Sequence, residues 1–190
     1  VIGKAILDYA LALLLLPFLL PIILVLILVS TLDTREFGLF SQTRIGQNAQ
    51  PFQIFKIRTM KGKNDSFVTT SHTHKITKIG KLLRNTKLDE LPQLFNILLG
   101  QMSFVGPRPD VKGYADELKG EDRIILKFKP GITGPAQLAF ANEEELLSQQ
   151  EDPLKYNDET IWPEKVKINR EFVQNWTFSK DLYYLMKTIF

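Results

Sequence analysis

Between Ala10 and Val29 the chain carries no charged or polar residue, and Pro17 and Pro21 interrupt that run near its middle. About twenty apolar residues are what a straight helix needs to cross the hydrocarbon core of a bilayer. A proline inside a helix removes one backbone hydrogen bond and clashes with the preceding turn. The run is therefore expected to be a membrane helix broken at Pro17 and Pro21, and a sharp bend there returns the chain to the face it entered. Asp8 at the start of the run, with no small-x-small cleavage site before residues 31–35, argues against a secretory signal peptide.

About 160 residues lie beyond the run, enough for one sizeable core. The expected division is a membrane element over 1–30 and one domain over 31–190. There is no cysteine, which excludes disulfides and cysteine-ligated metals. His72 and His74 are the only histidines, so neither a zinc site nor a Ser-His-Asp triad is expected. The net charge of +3 is unevenly placed. Basic residues crowd the stretch from Lys56 to Lys87, with Asp65 the single acid among them, and acids dominate from Asp116 to Glu159. The basic half should face something anionic: lipid headgroups, phosphates or nucleic acid.

Ser30 to Leu39 reads as an exit loop, Phe52 to Met60 as a short strand, and the polar stretch Lys61 to His74 as a mobile loop. Ile76, Ile79 and Leu83 fall at helical spacing with Lys75, Lys78 and Lys81 on flanking faces, which describes a basic amphipathic helix suited to a membrane interface. Leu91, Leu94, Phe95 and Leu98 give a second helix one apolar face, and Gly100 ends it. Ser103 to Asp110 (SFVGPRPD) and Pro130 to Gly134 (PGITG) read as turns, 141–161 as an acidic surface helix and loop, and 165–190 as helical.

Asp89 and Glu90 are adjacent acids at the start of that second helix. Neighbouring residues on a helix do not share a face, so the two carboxylates point apart and suit different tasks. A helix N-terminus favours anions, and Arg84, Lys87 and Arg108 are available to neutralise phosphate. A carboxylate in such surroundings suits nucleophilic attack on phosphorus, but on the residues alone the favoured reading is that two acids there simply complement the helix dipole. Two prolines hold Arg108 in a stiff frame, which fixes where a guanidinium points. A solvated arginine on a structural turn has the same signature.

KIRTM at 56–60, LDELPQLFNILLGQMSFVGPRP at 88–109 and KPGITGPAQ at 129–137 resemble the bacterial sugar transferase family, the monotopic polyprenyl-phosphate sugar-phosphate transferases. NWTFSKDLYYLMKTI at 175–189 and the proline-broken run are similar to that family's closing and opening segments. The resemblance implies a mostly helical α+β fold: a small globular domain with interfacial amphipathic helices and an N-terminal re-entrant membrane helix. It implies transfer of a sugar phosphate from a UDP-sugar to undecaprenyl phosphate, with UMP released, at the cytoplasmic face of the bacterial inner membrane. Asp89 would be the nucleophile that forms a covalent phosphosugar intermediate, and Glu90 its supporting acid. Mg²⁺ would bind at Asp89 and Glu90, and Arg84, Arg108, Lys56 and Arg58 would hold phosphates. The implied partners are the two substrates and membrane lipids, not nucleic acid; a homodimer is left open.

The sequence departs from many relatives at Leu16, where they carry serine, and at Ala139-Phe140-Ala141, where they carry Asn-Gly-Arg. The alternative reading that fits the second departure is a catalytically silent module that binds lipid or a partner. A single-pass helix with its domain outside the cytoplasm is a third. By resemblance the chain is a minimal catalytic form, or the catalytic part of a larger protein.

Overall fold

The apolar run folds as helix α1 (Ile2–Thr34), which contains both prolines and continues past the exit loop expected from Ser30. These features belong to a computed structural model that describes residues 2–62 and 75–189. The expected loop at 61–74, with both histidines, falls outside the described residues from position 63 onward. α1 is long and apolar enough to cross a membrane. Leu13, Phe18 and Leu24 are each more than half exposed, as suits a helix whose solvent is lipid. Because Pro17 and Pro21 lack an N–H, the carbonyls of Leu13 and Pro17 have no helical donor, and these weak points recur on one face. Arg35, with φ at 61°, turns the chain out of the helix.

The described chain divides into two compact units, one of 1–43 with 53–100 and one of 44–52 with 101–190. A hairpin of β1 (Leu39–Ile45) and β2 (Pro51–Ile57) contributes to both, as a consequence of chain continuity.

In the first unit, the end of α1 is tied to the backbone just beyond β2. Ser30 Oγ donates to the Arg58 carbonyl at 2.6 Å, and Gly38 N–H donates to Thr31 Oγ1 at 2.8 Å. β3 (Met60–Lys61) pairs antiparallel with β4 (Lys75–Ile76), so Ile76 belongs to a strand and not to the expected helix. That helix, α2 (Lys78–Asn85), starts later because Thr77 caps it, its hydroxyl accepting from Gly80 N–H. It buries Gly80 and Leu83 and leaves Leu82 exposed. Any Cβ on Gly80 would run into the Thr59 carbonyl, so glycine lets α2 lie directly on that backbone. α3 (Gln93–Leu98) is shorter than the expected helix and packs against α1. Its buried set is Gln93, Leu94, Asn96 and Ile97 and not a simple apolar stripe. Gly100, with φ at 75°, ends it as expected.

In the second unit, β5 (Ser103–Val105) and β6 (Gly131–Thr133) pair in parallel, Ser103 opposite Gly131 and Val105 opposite Thr133. Both segments read as turns in the sequence. The ladder is extended by Gly131 N–H, which donates to the Pro107 carbonyl at 2.8 Å, and by the Thr133 carbonyl, which accepts from Gly106 N–H at 2.9 Å. Helices α4 (Pro135–Ala139), α5 (Glu143–Ser148) and α6 (Pro153–Tyr156) lead through a π-turn at Asn157–Ile161 into α7 (Trp162–Gln174), and α8 (Phe178–Ile189) completes the unit.

One core of this unit gathers Ile45, Leu118, Ile125, Leu126 and Val166, with Trp162 packed on it. A second gathers Val105, Phe172 and Val173 with Phe128, Trp176 and Tyr184. α8 buries Asp181, which accepts from Trp176 Nε1 at 3.0 Å, and exposes Phe178, Leu182, Tyr183 and Met186. The result is the mostly helical α+β architecture expected, with short two-stranded ladders among the described residues.

Candidate active site

Asp89 does not open a helix. It sits in a 3-10 turn, Leu88–Glu90, between α2 and α3. The turn is entered through Lys87 in the left-handed region, φ 58° and ψ 13°, an uncommon conformation for a residue with a Cβ. Asp89 is buried, at 8% exposure. Burial raises its carboxyl above the ordinary range. Lys56 pulls it back down most strongly, Glu90 pushes it up, and Arg84 and Lys87 pull it down. The nucleophile expected from sequence is thus a sequestered carboxylate inside a ring of cations from three segments.

Those cations are positioned by specific contacts. Lys56 lies on β2, and its Nζ contacts Glu90 Oε1 at 2.9 Å. β2 is fixed on α3 by Asn96, which is fully buried. Asn96 Oδ1 accepts from Phe55 N–H at 3.0 Å and its Nδ2 donates to the Gln53 carbonyl at 2.7 Å, so one amide side chain completes both backbone groups beside Lys56. Arg84, in the last turn of α2, donates from Nε to Thr59 Oγ1 at 3.0 Å and from Nη2 to Met60 Sδ at 2.9 Å.

Arg58 is placed differently from the other predicted phosphate ligands. Its guanidinium pairs with Glu36 at 3.1 Å, donates to the Phe37 carbonyl at 2.9 Å and lies over the Phe40 ring. These contacts make it a fastener of the segment after α1. Pro17 and Pro21 lie within α1, in the same unit as Asp89.

Arg108 belongs to the second unit. It lines a small cavity with Asp110, Trp162, Phe128 and Asn169. The loop around it is pinned by Ile45 N–H, which donates to the Asp110 carbonyl at 2.8 Å, and by Arg44 Nη1 to the Pro109 carbonyl at 3.4 Å. Sequence reasoning does not single out Asn96, Thr59, Met60 or Asp110. A polar asparagine within an otherwise apolar helix is the one legible signal among them.

Among the described residues no group of three or more histidines and acids gathers that would cage a metal. Mg²⁺ asks for less, since it keeps several waters and is commonly held by one or two carboxylates plus substrate phosphates. The adjacent oxygen donors of Asp89 and Glu90 fit that donor set.

The bacterial sugar transferase family model matches residues 1–190. A UDP-glucose:undecaprenyl-phosphate glucose-1-phosphate transferase of Escherichia coli is 35% identical over 159 residues, which is 80% of this chain and 32% of that protein. The galactosyl transferase CpsE of Streptococcus agalactiae is 32% identical over 80% of this chain and 33% of its own length. A UDP-glucose:undecaprenyl-phosphate glucose-1-phosphate transferase of Caulobacter vibrioides is 31% identical over 98% of this chain and 68% of its own length. The chain thus spans about a third of the length of the first two relatives and about two thirds of the third. With a match that runs from end to end, the chain belongs to the bacterial sugar transferase family.

Proposed function

We propose that this chain transfers a sugar 1-phosphate from a UDP-sugar to undecaprenyl phosphate at a membrane surface, as an initiating step of bacterial glycan assembly. The observation that carries the reading is Asp89, a buried carboxylate whose ionised form is supported by Lys56, Arg84 and Lys87.

In the first step an Asp89 oxygen attacks the β-phosphorus of the donor. The bond from that phosphorus to the bridging oxygen breaks, and UMP leaves with the oxygen. An aspartyl phosphosugar remains. In the second step an oxygen of undecaprenyl phosphate attacks the same phosphorus, and Asp89 leaves as a carboxylate. Splitting the transfer into two displacements at one carboxylate is the logic of covalent catalysis. Mg²⁺ held by Asp89 and Glu90 would neutralise phosphate charge when bound. Lys56 keeps Glu90 in register and Arg84 faces phosphate. Arg108, by its motif, is a further phosphate ligand.

Pro17 and Pro21 on one face favour a re-entrant α1 with both ends on the cytoplasmic face of the inner membrane. The exposed apolar residues of α2 suit the interface of that membrane. The membrane element 1–30 and the catalytic domain 31–190 then meet where the soluble donor meets the lipid acceptor.

The test is UMP release by the detergent-solubilised chain with undecaprenyl phosphate, Mg²⁺ and a panel of UDP-sugars. Release with one donor, lost by a factor of about 10³ or more in Asp89→Asn, is the expected result. Appreciable turnover by that variant rejects Asp89 as the nucleophile.

A further inference from the structure

Resting on the reading of Arg108 as a phosphate ligand, we propose that Asp110 is a positioning residue whose carboxylate holds the Arg108 guanidinium in place for the donor diphosphate. The two residues flank Pro109. Both line the same small cavity. The backbone on either side of Asp110 is pinned, by Arg44 at Pro109 and by Ile45 at Asp110 itself, so its side chain starts from a fixed point.

Several charges face Asp110. Lys165 of α7 is buried and contacts Glu143 of α5 at 2.6 Å. Arg44 comes from the hairpin, and Tyr114 lies close by in the same unit. Burial pushes the Asp110 carboxyl up to about 6. Lys165, then Arg108 and Arg44 oppose that rise, and Glu143 adds to it. The ionised carboxylate is therefore a net cost to the fold. A neutral amide of the same shape would avoid that cost, since an ion pair taken out of water is often no better than its neutral replacement. What the charge supplies is a negative group close enough to Arg44, Arg108 and Lys165 for each to act on it.

Field and position predict opposite outcomes. If Asp110 acted only through the field, removing its negative charge would strengthen phosphate binding. If it positions Arg108, removing it weakens binding. The experiment measures binding of UDP-glucose, whose diphosphate carries no group that titrates near pH 6. It uses the full chain in detergent on an Asp89→Asn background, so that no donor is consumed.

Adding Asp110→Asn is expected to weaken binding roughly tenfold, with Asp110→Glu restoring part of it. Affinity of the chain with Asp110 intact should fall as pH drops through about 6, because protonation removes the counter-ion. The Asp110→Asn chain should be flat across that range. It should also melt no lower than its parent at pH 8, which separates positioning from damage to the fold.

Binding that is unchanged or tighter in Asp110→Asn, while Arg108→Ala abolishes it, overturns the inference and leaves the phosphate role of Arg108 standing. Binding that survives Arg108→Ala overturns that role and the inference with it. The pH series on Asp110 itself needs no substitution at this site, so it stands even if the asparagine chain does not fold.

Discussion

On the proposed mechanism, Asp89 and Lys56 set the pH at which this chain works. Burial raises the Asp89 carboxyl and Lys56 is the strongest force against that rise. A nucleophilic carboxylate must be ionised, so the acid limb of kcat/KM reports its ionisation. That limb should lie above the ordinary carboxylate range. Lys56→Met removes the main opposing charge, so the limb should move to higher pH, with activity near its plateau partly retained. A limb that stays in place or moves to lower pH contradicts the assignment. Lys56 also contacts Glu90, so Glu90→Gln should move the limb the other way, because Glu90 raises Asp89.

At the scale of elements, the feature that organises the first unit is a side chain standing in for a strand. Asn96 meets Phe55 N–H and the Gln53 carbonyl as a neighbouring strand would. Asn96→Ala leaves both backbone groups without this partner in a part-buried place and should cost about 1–2 kcal/mol of stability in chemical unfolding. It should also lower UMP release, because Lys56 sits next to the loosened segment. A loss below about 0.5 kcal/mol would mean that water replaces the amide without penalty.

Sequence periodicity could not show this arrangement. It marks Asn96 as a polar residue among Leu94, Phe95, Ile97 and Leu98, whereas its role depends on a strand some forty residues away. The same limit explains PGITG. Its glycines and proline spell a turn locally, yet Gly131 and Gly134 are small because the Gly106 backbone lies against them across a parallel ladder. Elements whose limits are set locally were legible. Gly100 closes α3 through its own φ, and α1 follows the apolar run, although it extends beyond it to Thr34. The local geometry of the Asp-Glu pair was not legible, since a left-handed Lys87 and a 3-10 turn carry no composition signal.

For the whole molecule the decisive question is the path of α1. The chain has no cysteine, so single cysteines can be introduced without background. One at Lys4 and one at Phe40 should react with a membrane-impermeant reagent from the same side of sealed vesicles if α1 is re-entrant. Labelling from opposite sides would make α1 a spanning helix and would place the Asp89 unit across the membrane from the N-terminus. Lys4 precedes the run and Arg35 and Arg44 come after it, so positive charge on both flanks favours the first result.

The two tryptophans have a practical consequence of their own. Trp162 packs on one core of the second unit and Trp176 on the other, and the first unit has none. Tryptophan emission therefore arises only from the unit that does not carry Asp89. Trp162→Phe leaves an emitter in the Phe172 core alone, and Trp176→Phe leaves one in the Ile125 core alone. Two single-emitter chains thus resolve the loosening of each core separately, while a tryptophan signal from the Asp89 unit must be introduced by design.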